Sequence, residues 1–157
     1  MAGRGVRAAA AICAVLWAGA AGAGPDWAPD RFSVLLGSKH IGSSGFNEIN
    51  PGLFATWEFE KWGFTTGAYL NSYDRGSVAA TADLPLFRWK GGAASAFGGL
   101  AWYPHDGHRF DTRIGGDIVG IGGLNLRQGP VFVQLLPMVT GGAKGLVTFG
   151  LTWEAAH

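Results

Sequence analysis

Alternating side chains divide most of the chain into segments of about ten residues. In the last one, "GLVTFGLTWE", the large apolar residues Val147, Phe149, Leu151 and Trp153 alternate with mostly small or polar ones. A period of two predicts a strand with one apolar and one polar face. With this segment at 145–154, eight strands are predicted, the others at 31–41, 50–60, 63–72, 77–87, 91–103, 112–125 and 129–139.

The connections between these segments alternate in length. The short turns "EKWG", "RWKG" and "LRQG" are interleaved with the polar segments "GSSGFNE", "YDRGS", "PHDGHRFD" and "TGGAK". An even number of strands puts both termini at one end of a barrel, so the polar segments share the opposite, outer rim. This arrangement predicts that His40, Ser72, His105 and His108 lie at that rim.

Composition favours a membrane barrel over a soluble one. Charged residues make up 15% of the chain and aromatic residues 13%, and the formal net charge is +1. A soluble domain usually carries about a quarter charged residues, and a chain without a basic excess is a poor candidate for nucleic-acid binding. A soluble β-sandwich or lipocalin-like barrel, the alternative fold, would place polar residues on exposed faces, whereas 91–103 and 129–139 are almost uncharged. We therefore predict an all-β fold, an eight-stranded antiparallel outer-membrane β-barrel with aromatic girdles that include Tyr69 and Tyr103.

The first residues predict export. Arg4 and Arg7 precede the apolar run "AAAAICAVLWAGA", and a small-residue cleavage site ends at Ala23. This order is typical of a cleaved signal peptide, here 1–23, followed by a single domain at 24–157. Cys13 lies inside the predicted signal, so the exported chain is expected to contain no cysteine. The signal and the predicted barrel together indicate the bacterial outer membrane.

Glycine-rich strands leave the use of the lumen open. An eight-stranded barrel is narrow, and "GGAASAFGGLAWY" at 91–103 contributes few large side chains. Small residues could leave an apolar slot for one acyl chain, or they could only permit tight coiling of the strands. Prolines within or at the start of strands remove ladder hydrogen bonds, which indicates either lateral seams or ordinary strand ends; they are Pro51, Pro85, Pro130 and Pro137.

His40 and Ser72 are the candidate reactive pair. Both lie at predicted strand tips, with Asn47, Glu48 and Asn50 at the start of the intervening strand. A neutral histidine can accept a proton from a serine hydroxyl, which would permit acyl transfer. The alternative to a reactive pair is a histidine at the rim and a serine in a turn, neither of which takes part in catalysis.

The segment "PHDGH" allows a second interpretation. His105 and His108, with Asp106 and Asp111, have a spacing that could hold a divalent ion. The same residues form an ordinary Pro/Asp/Gly turn, and a two-histidine motif outside a helix has little specificity. No metal site is predicted.

Four segments in this order resemble the outer-membrane lipid A palmitoyltransferases, the PagP family: "FNEINPGL", "GAYLNSYDR", "GPVFVQLLP" and "GLVTFGLTW". The family requires a His, an Asp and a Ser at positions that correspond to His40, Asn71 and Ser72. The resemblance implies transfer of a palmitoyl-like chain from a glycerophospholipid to lipid A, with the chain held in the lumen and no diffusible cofactor. It also implies a monomer in the outer membrane.

The resemblance assigns roles to residues. His40 would be the base, Ser72 the activated hydroxyl and Asn71 the orienting or carbonyl-binding group. The predicted substrate-binding residues are Asn47, Glu48, Pro51, Gly98 and Gly99. One alternative is a non-catalytic barrel that is structural or binds lipid or a surface. Another is a lipid A deacylase. A deacylase usually needs a serine and a histidine on one strand, and no serine lies two residues from His108.

Overall fold

The computed structural model describes residues 27–140 and 143–156. The predicted signal peptide, with Cys13, lies outside this part of the chain. The strands of the described residues are β1 Arg31–Ile41, β2 Gly52–Glu58, β3 Gly63–Leu70, β4 Gly76–Trp89, β5 Gly92–Trp102, β6 Arg113–Gly115, β7 Ile118–Gln128, β8 Val131–Thr140 and β9 Ala143–Glu154. A 3-10 turn covers Gly107–Arg109. None of the helical structure in the described residues is long and apolar enough to span a membrane.

The strands close into an eight-stranded antiparallel barrel, which confirms the predicted fold class. The ring runs β1-β2-β3-β4-β5-β7-β8-β9 and returns to β1, while β6 lies outside it and pairs with the first residues of β7. The prediction of one continuous strand at 112–125 was wrong. Gly116 has a φ of +54°, a left-handed conformation that favours glycine, and it turns the chain between β6 and β7.

The two faces of the strands differ as a period of two requires. On β9, Phe149, Leu151 and Trp153 are each more than 40% exposed, whereas Thr148 and Thr152 are buried. Large apolar side chains therefore cover the outside of the barrel, and smaller or polar ones face the lumen. This distribution is the reverse of that in a soluble protein with a hydrophobic core.

Two ends of the barrel are distinguished by their connections. The loop end carries 42–51, 71–75 and 103–117, and the turn end carries 59–62, 90–91 and 129–130. Near the loop end the interior contains Ala79, Ala101 and Val119, against which Tyr69 and Tyr103 pack. Both tyrosines were predicted in the outer girdles, and that prediction was wrong: they lie inside because the neighbouring alanines leave room for their rings.

Close packing of backbones explains part of the glycine content. A Cβ at Gly99 would collide with the carbonyl oxygen of Ala80, and one at Gly123 with that of Leu135. Neither collision is relieved by a side-chain movement, because both contacts involve backbone. At these positions glycine permits close approach of neighbouring strands, and hence tight coiling of the barrel wall, rather than an apolar slot for an acyl chain.

Candidate functional site

A β-bulge aims His40 into the barrel. The register of β1 against β9 shifts between Leu35 and Gly37, after which Ser38 and His40 face inward and Lys39 faces out. Bulges commonly redirect side chains in this way. His40 is only 4% exposed, and its ring stacks on that of Phe46 with centroids 4.0 Å apart. Its Nδ1 has no hydrogen-bond partner among the described residues.

The nearest polar group on the same strand face is Ser38. Its hydroxyl donates to Oδ1 of Asn50, which is itself 3% exposed. Asn50 Nδ2 in turn donates to the carbonyl oxygen of Asn47 at 3.3 Å. Ser38 and His40 therefore show, on one strand, the two-residue Ser–His spacing that is missing beside His108, although no role was predicted for Ser38.

Ser72 lies at the same end of the barrel as His40. Its carbonyl oxygen accepts a hydrogen bond from the Asn47 amide at 3.1 Å, so the loop after β1 touches the turn after β3. Phe46 packs between these elements, stacked on His40 and edge-on to Tyr73 at 5.8 Å. Within 27–140 and 143–156, no hydrogen bond joins the side chains of His40 and Ser72.

Asn71 holds the turn that contains Ser72. Its Oδ1 accepts from the amides of Tyr73 at 2.8 Å and Arg75 at 3.1 Å, and its Nδ2 donates to Ser77 Oγ at 2.9 Å. Asn71 is 1% exposed and faces the interior. These bonds define an Asx-type turn. The structure thus gives Asn71 a structural task and no hydrogen bond to His40 in the described chain.

The other predicted polar residues join the loop after β1 to its surroundings. Glu48 Oε1 pairs with Lys39 Nζ at 2.7 Å, and the Glu48 carbonyl accepts from the Ser38 amide. Asn47 Nδ2 donates to Asp74 Oδ1 at 2.6 Å. All of these contacts lie within one wall of the loop end, so this loop is held in place beside His40.

The remaining predicted residues lie along the strands. The carbonyl oxygen of Pro51 accepts from the Leu70 amide at 2.9 Å, which continues the β2–β3 ladder. Gly98 is exposed on the outer face of β5, and Gly99, one residue on, faces inward against β4. Of this glycine pair, only Gly99 is on the lumen side.

Asp106, considered above only as part of a possible metal site, is a buried carboxylate that organises the remaining loops. Asp106 is 2% exposed and binds Arg75 Nη1 at 2.7 Å and Arg109 Nε at 2.9 Å. The Arg109 guanidinium also lies 4.9 Å from the ring centroid of Tyr73. The segment "PHDGH" has no alternating pattern from which the burial of Asp106 could be predicted.

The two histidines of the same loop are exposed. The His105 amide donates to Asp117 Oδ2 at 2.8 Å, and this bond holds the pKa of the Asp117 carboxyl below its ordinary value. Across the residues that the structure describes, no group of three or more His, Cys, Asp or Glu side chains could hold a metal ion.

A cavity of about 200 Å³ runs along the lumen. Its lining includes Leu146, the residue opposite His40 on β9, but neither His40 nor Ser72 lines it. Nearer the loop end the walls are apolar, with Leu35, Phe54 and Tyr69 among them. The predicted slot of Ala, Gly, Leu and Phe therefore describes only this half of the lumen.

The half nearer the turn end contains the charged residues, with the apolar Phe132 beside them. Arg31 is buried there and binds Glu58 at 3.1 Å and Glu154 at 3.2 Å. Arg88 and Arg127 line the same part of the cavity. The lumen therefore changes from apolar to charged along its length.

No family model matches the chain, and no curated protein sequence matches it.

Proposed function

We propose that the barrel resides in a bacterial outer membrane. The support is the outer surface, where large apolar side chains are exposed on strand after strand, among them Leu84, Leu100, Leu124, Phe149 and Trp153. In water such a large exposed apolar surface would promote aggregation, whereas in a bilayer it contacts lipid hydrocarbon. Closing the sheet into a ring also pairs the strand edges, as a spanning structure needs.

Within that membrane we propose an acyltransferase that moves a palmitoyl-like chain from a glycerophospholipid to lipid A. The observation that carries the proposal is His40, a buried histidine with an unpartnered Nδ1 at the loop end of a partly apolar lumen. An acyl chain in the apolar half would bring its ester carbonyl to the level of Leu146 and His40. A histidine in such a position is a suitable general base.

The chemistry is a transesterification. His40 removes the proton of the attacking hydroxyl as its oxygen bonds to the acyl carbon, the bond between the acyl carbon and the glycerol oxygen breaks, and the proton returns to the leaving glycerol alkoxide. Where the attacking hydroxyl is that of a serine, the same steps repeated with a lipid A hydroxyl transfer the chain and regenerate the serine. Ser72 can serve as the activated hydroxyl if Phe46 moves from its position against the imidazole. Otherwise the hydroxyl of lipid A attacks directly, and Ser72 only shapes the turn. No cofactor takes part in either route.

The test is a mass spectrum of lipid A from a bacterial host that lacks its own palmitoyltransferase and expresses this chain. We expect one added acyl chain, which is lost in His40→Ala and retained in His108→Ala, an exposed histidine at the same end. Ser72→Ala distinguishes the two routes, since it abolishes transfer only if Ser72 attacks. Unchanged lipid A, with the barrel shown to be folded in the outer membrane, would contradict the proposal.

A non-catalytic structural barrel is the second candidate. It is favoured by the bonds of Asn71, which satisfy its own turn and leave His40 without a carboxylate partner in the described residues. Many rims are built from such turns without any chemistry. The lipid A spectrum separates the two candidates directly.

A further inference from the structure

Two polar side chains of β7, Asn125 and Arg127, face the lumen near the turn end. Asn125 Oδ1 is buried without a hydrogen bond, although a buried acceptor is normally satisfied. Arg127 follows two residues later on the same face of β7, and both side chains line the cavity. Residues at this spacing lie about 7 Å apart along a strand. Neither group is used by the proposed transfer reaction, which takes place at the opposite end.

Glu58 and Glu154 act on Arg127 only from beyond ion-pair distance. Both Glu58 and Glu154 are bound by Arg31, and Asp83 Oδ2 accepts from Thr65 Oγ1 at 2.9 Å. No ion pair joins any carboxylate of the described residues to Arg127. A guanidinium half-buried in a narrow lumen is stabilised by an anion that occupies the space before it.

The space beside these groups continues into apolar wall. Phe97, Ile121 and Phe132 line the same cavity as Asn125 and Arg127. A free inorganic anion would use only the polar part of this cavity. A molecule with one anionic head and one hydrocarbon tail would use both.

We propose that the lumen binds a fatty acid with its carboxylate toward the turn end. The carboxylate pairs with Arg127 and accepts a hydrogen bond from the Asn125 amide, whose oxygen and nitrogen exchange places by rotation of the amide group. The tail passes Phe132, which lies opposite Arg127, and extends toward Phe97 and Ile121. This orientation is opposite to that of an acyl donor with its ester beside His40, so the site does not rest on the proposed transferase activity.

Calorimetric titration of the folded barrel in lipid nanodiscs with decanoate tests the site, with empty nanodiscs subtracted for partition. We expect saturable binding that weakens at least tenfold in Arg127→Gln. Arg113→Gln is the matched control, because Arg113 is exposed on β6 outside the ring, and it should bind as the parent does. Decanol, which has the same tail without the charge, should bind Arg127→Gln and the parent equally.

Asn125→Leu provides a second variant that keeps the volume and needs no polar partner. It should weaken decanoate binding several-fold while leaving the unfolding midpoint unchanged or raised, so its outcome does not depend on whether Arg127→Gln folds. Equal decanoate affinity in the parent and in the folded variants, or no binding above empty nanodiscs, would overturn the proposal. Loss of lipid A modification in His40→Ala tests the separate transferase proposal and leaves this one unaffected.

Discussion

Replacing Asn71 by alanine should lower the free energy of unfolding more than the same change at any other asparagine of the loop end. The substitution removes three hydrogen bonds, from the amides of Tyr73 and Arg75 and to Ser77 Oγ. A neutral hydrogen bond contributes about 1 kcal/mol, so the expected loss in free energy of unfolding is about 3 kcal/mol. The side chain is 1% exposed, so water cannot easily replace the lost partners.

The assay is urea unfolding in phospholipid vesicles, followed by tryptophan fluorescence. Because the slope of the unfolding free energy is about 1–3 kcal/mol per molar urea, the midpoint should fall by roughly 1–3 M. Asn125→Ala is the matched control, since it removes an asparagine whose Oδ1 has no partner. Equal destabilisation of the two variants would refute the hydrogen-bond reasoning.

Asn71→Asp separates the structural role from a catalytic one. The new carboxylate keeps the acceptor for the Tyr73 and Arg75 amides, and the Ser77 hydroxyl can rotate to donate to it. Stability should therefore stay closer to that of the parent than in Asn71→Ala. A transfer rate that rises with the aspartate would support an orienting role, and an unchanged rate would leave Asn71 a turn residue only.

Two further variants test local features of the wall and loops. Gly99→Ala should cost several kcal/mol because its methyl group meets the Ala80 backbone, whereas Gly98→Ala, in open space on the outer face, should be almost neutral in the same urea assay. The pKa of Asp117 is lower in the folded state than its ordinary value of 3.8. The hydrogen bond from the His105 amide therefore contributes its full stability at pH values above 3.8, and this contribution is lost as the pH falls through the lower, folded-state pKa. Asp117→Asn should therefore reduce the difference between unfolding midpoints measured at about pH 3 and pH 7, and an unchanged difference would contradict this.

Alternation predicted most of the strands because the side-chain period is set by the backbone itself. The segment 31–41 coincides with β1, Arg31–Ile41, and 145–154 differs from β9 only at its start. The failure at 112–125 has a local cause: alternation continues through the turn at Gly116, whose positive φ has no signature in the hydrophobic pattern. A glycine among many others could not be singled out as the break.

The site was less predictable than the fold. His40 and Ser72 could be placed at one end from topology alone, and the structure puts both there. The stacking of Phe46 on the imidazole depends on how the loop after β1 folds back, which no period describes. The burial of Asp106 between two arginines likewise depends on contacts between separate loops.

Closure of the ring by its first and last strands has a kinetic consequence. β1 pairs with β9 from Arg31 opposite Glu154 to Ile41 opposite Gly145, over more residues than it pairs with β2. These partners are separated by nearly the whole described chain, and loop-closure entropy delays contacts of such high sequence separation. A nascent chain that lacks β9 therefore carries an unpaired β1 edge until β9 has been synthesised. The ring therefore cannot close before β9 has been made, and during that interval the chain depends on protection from aggregation.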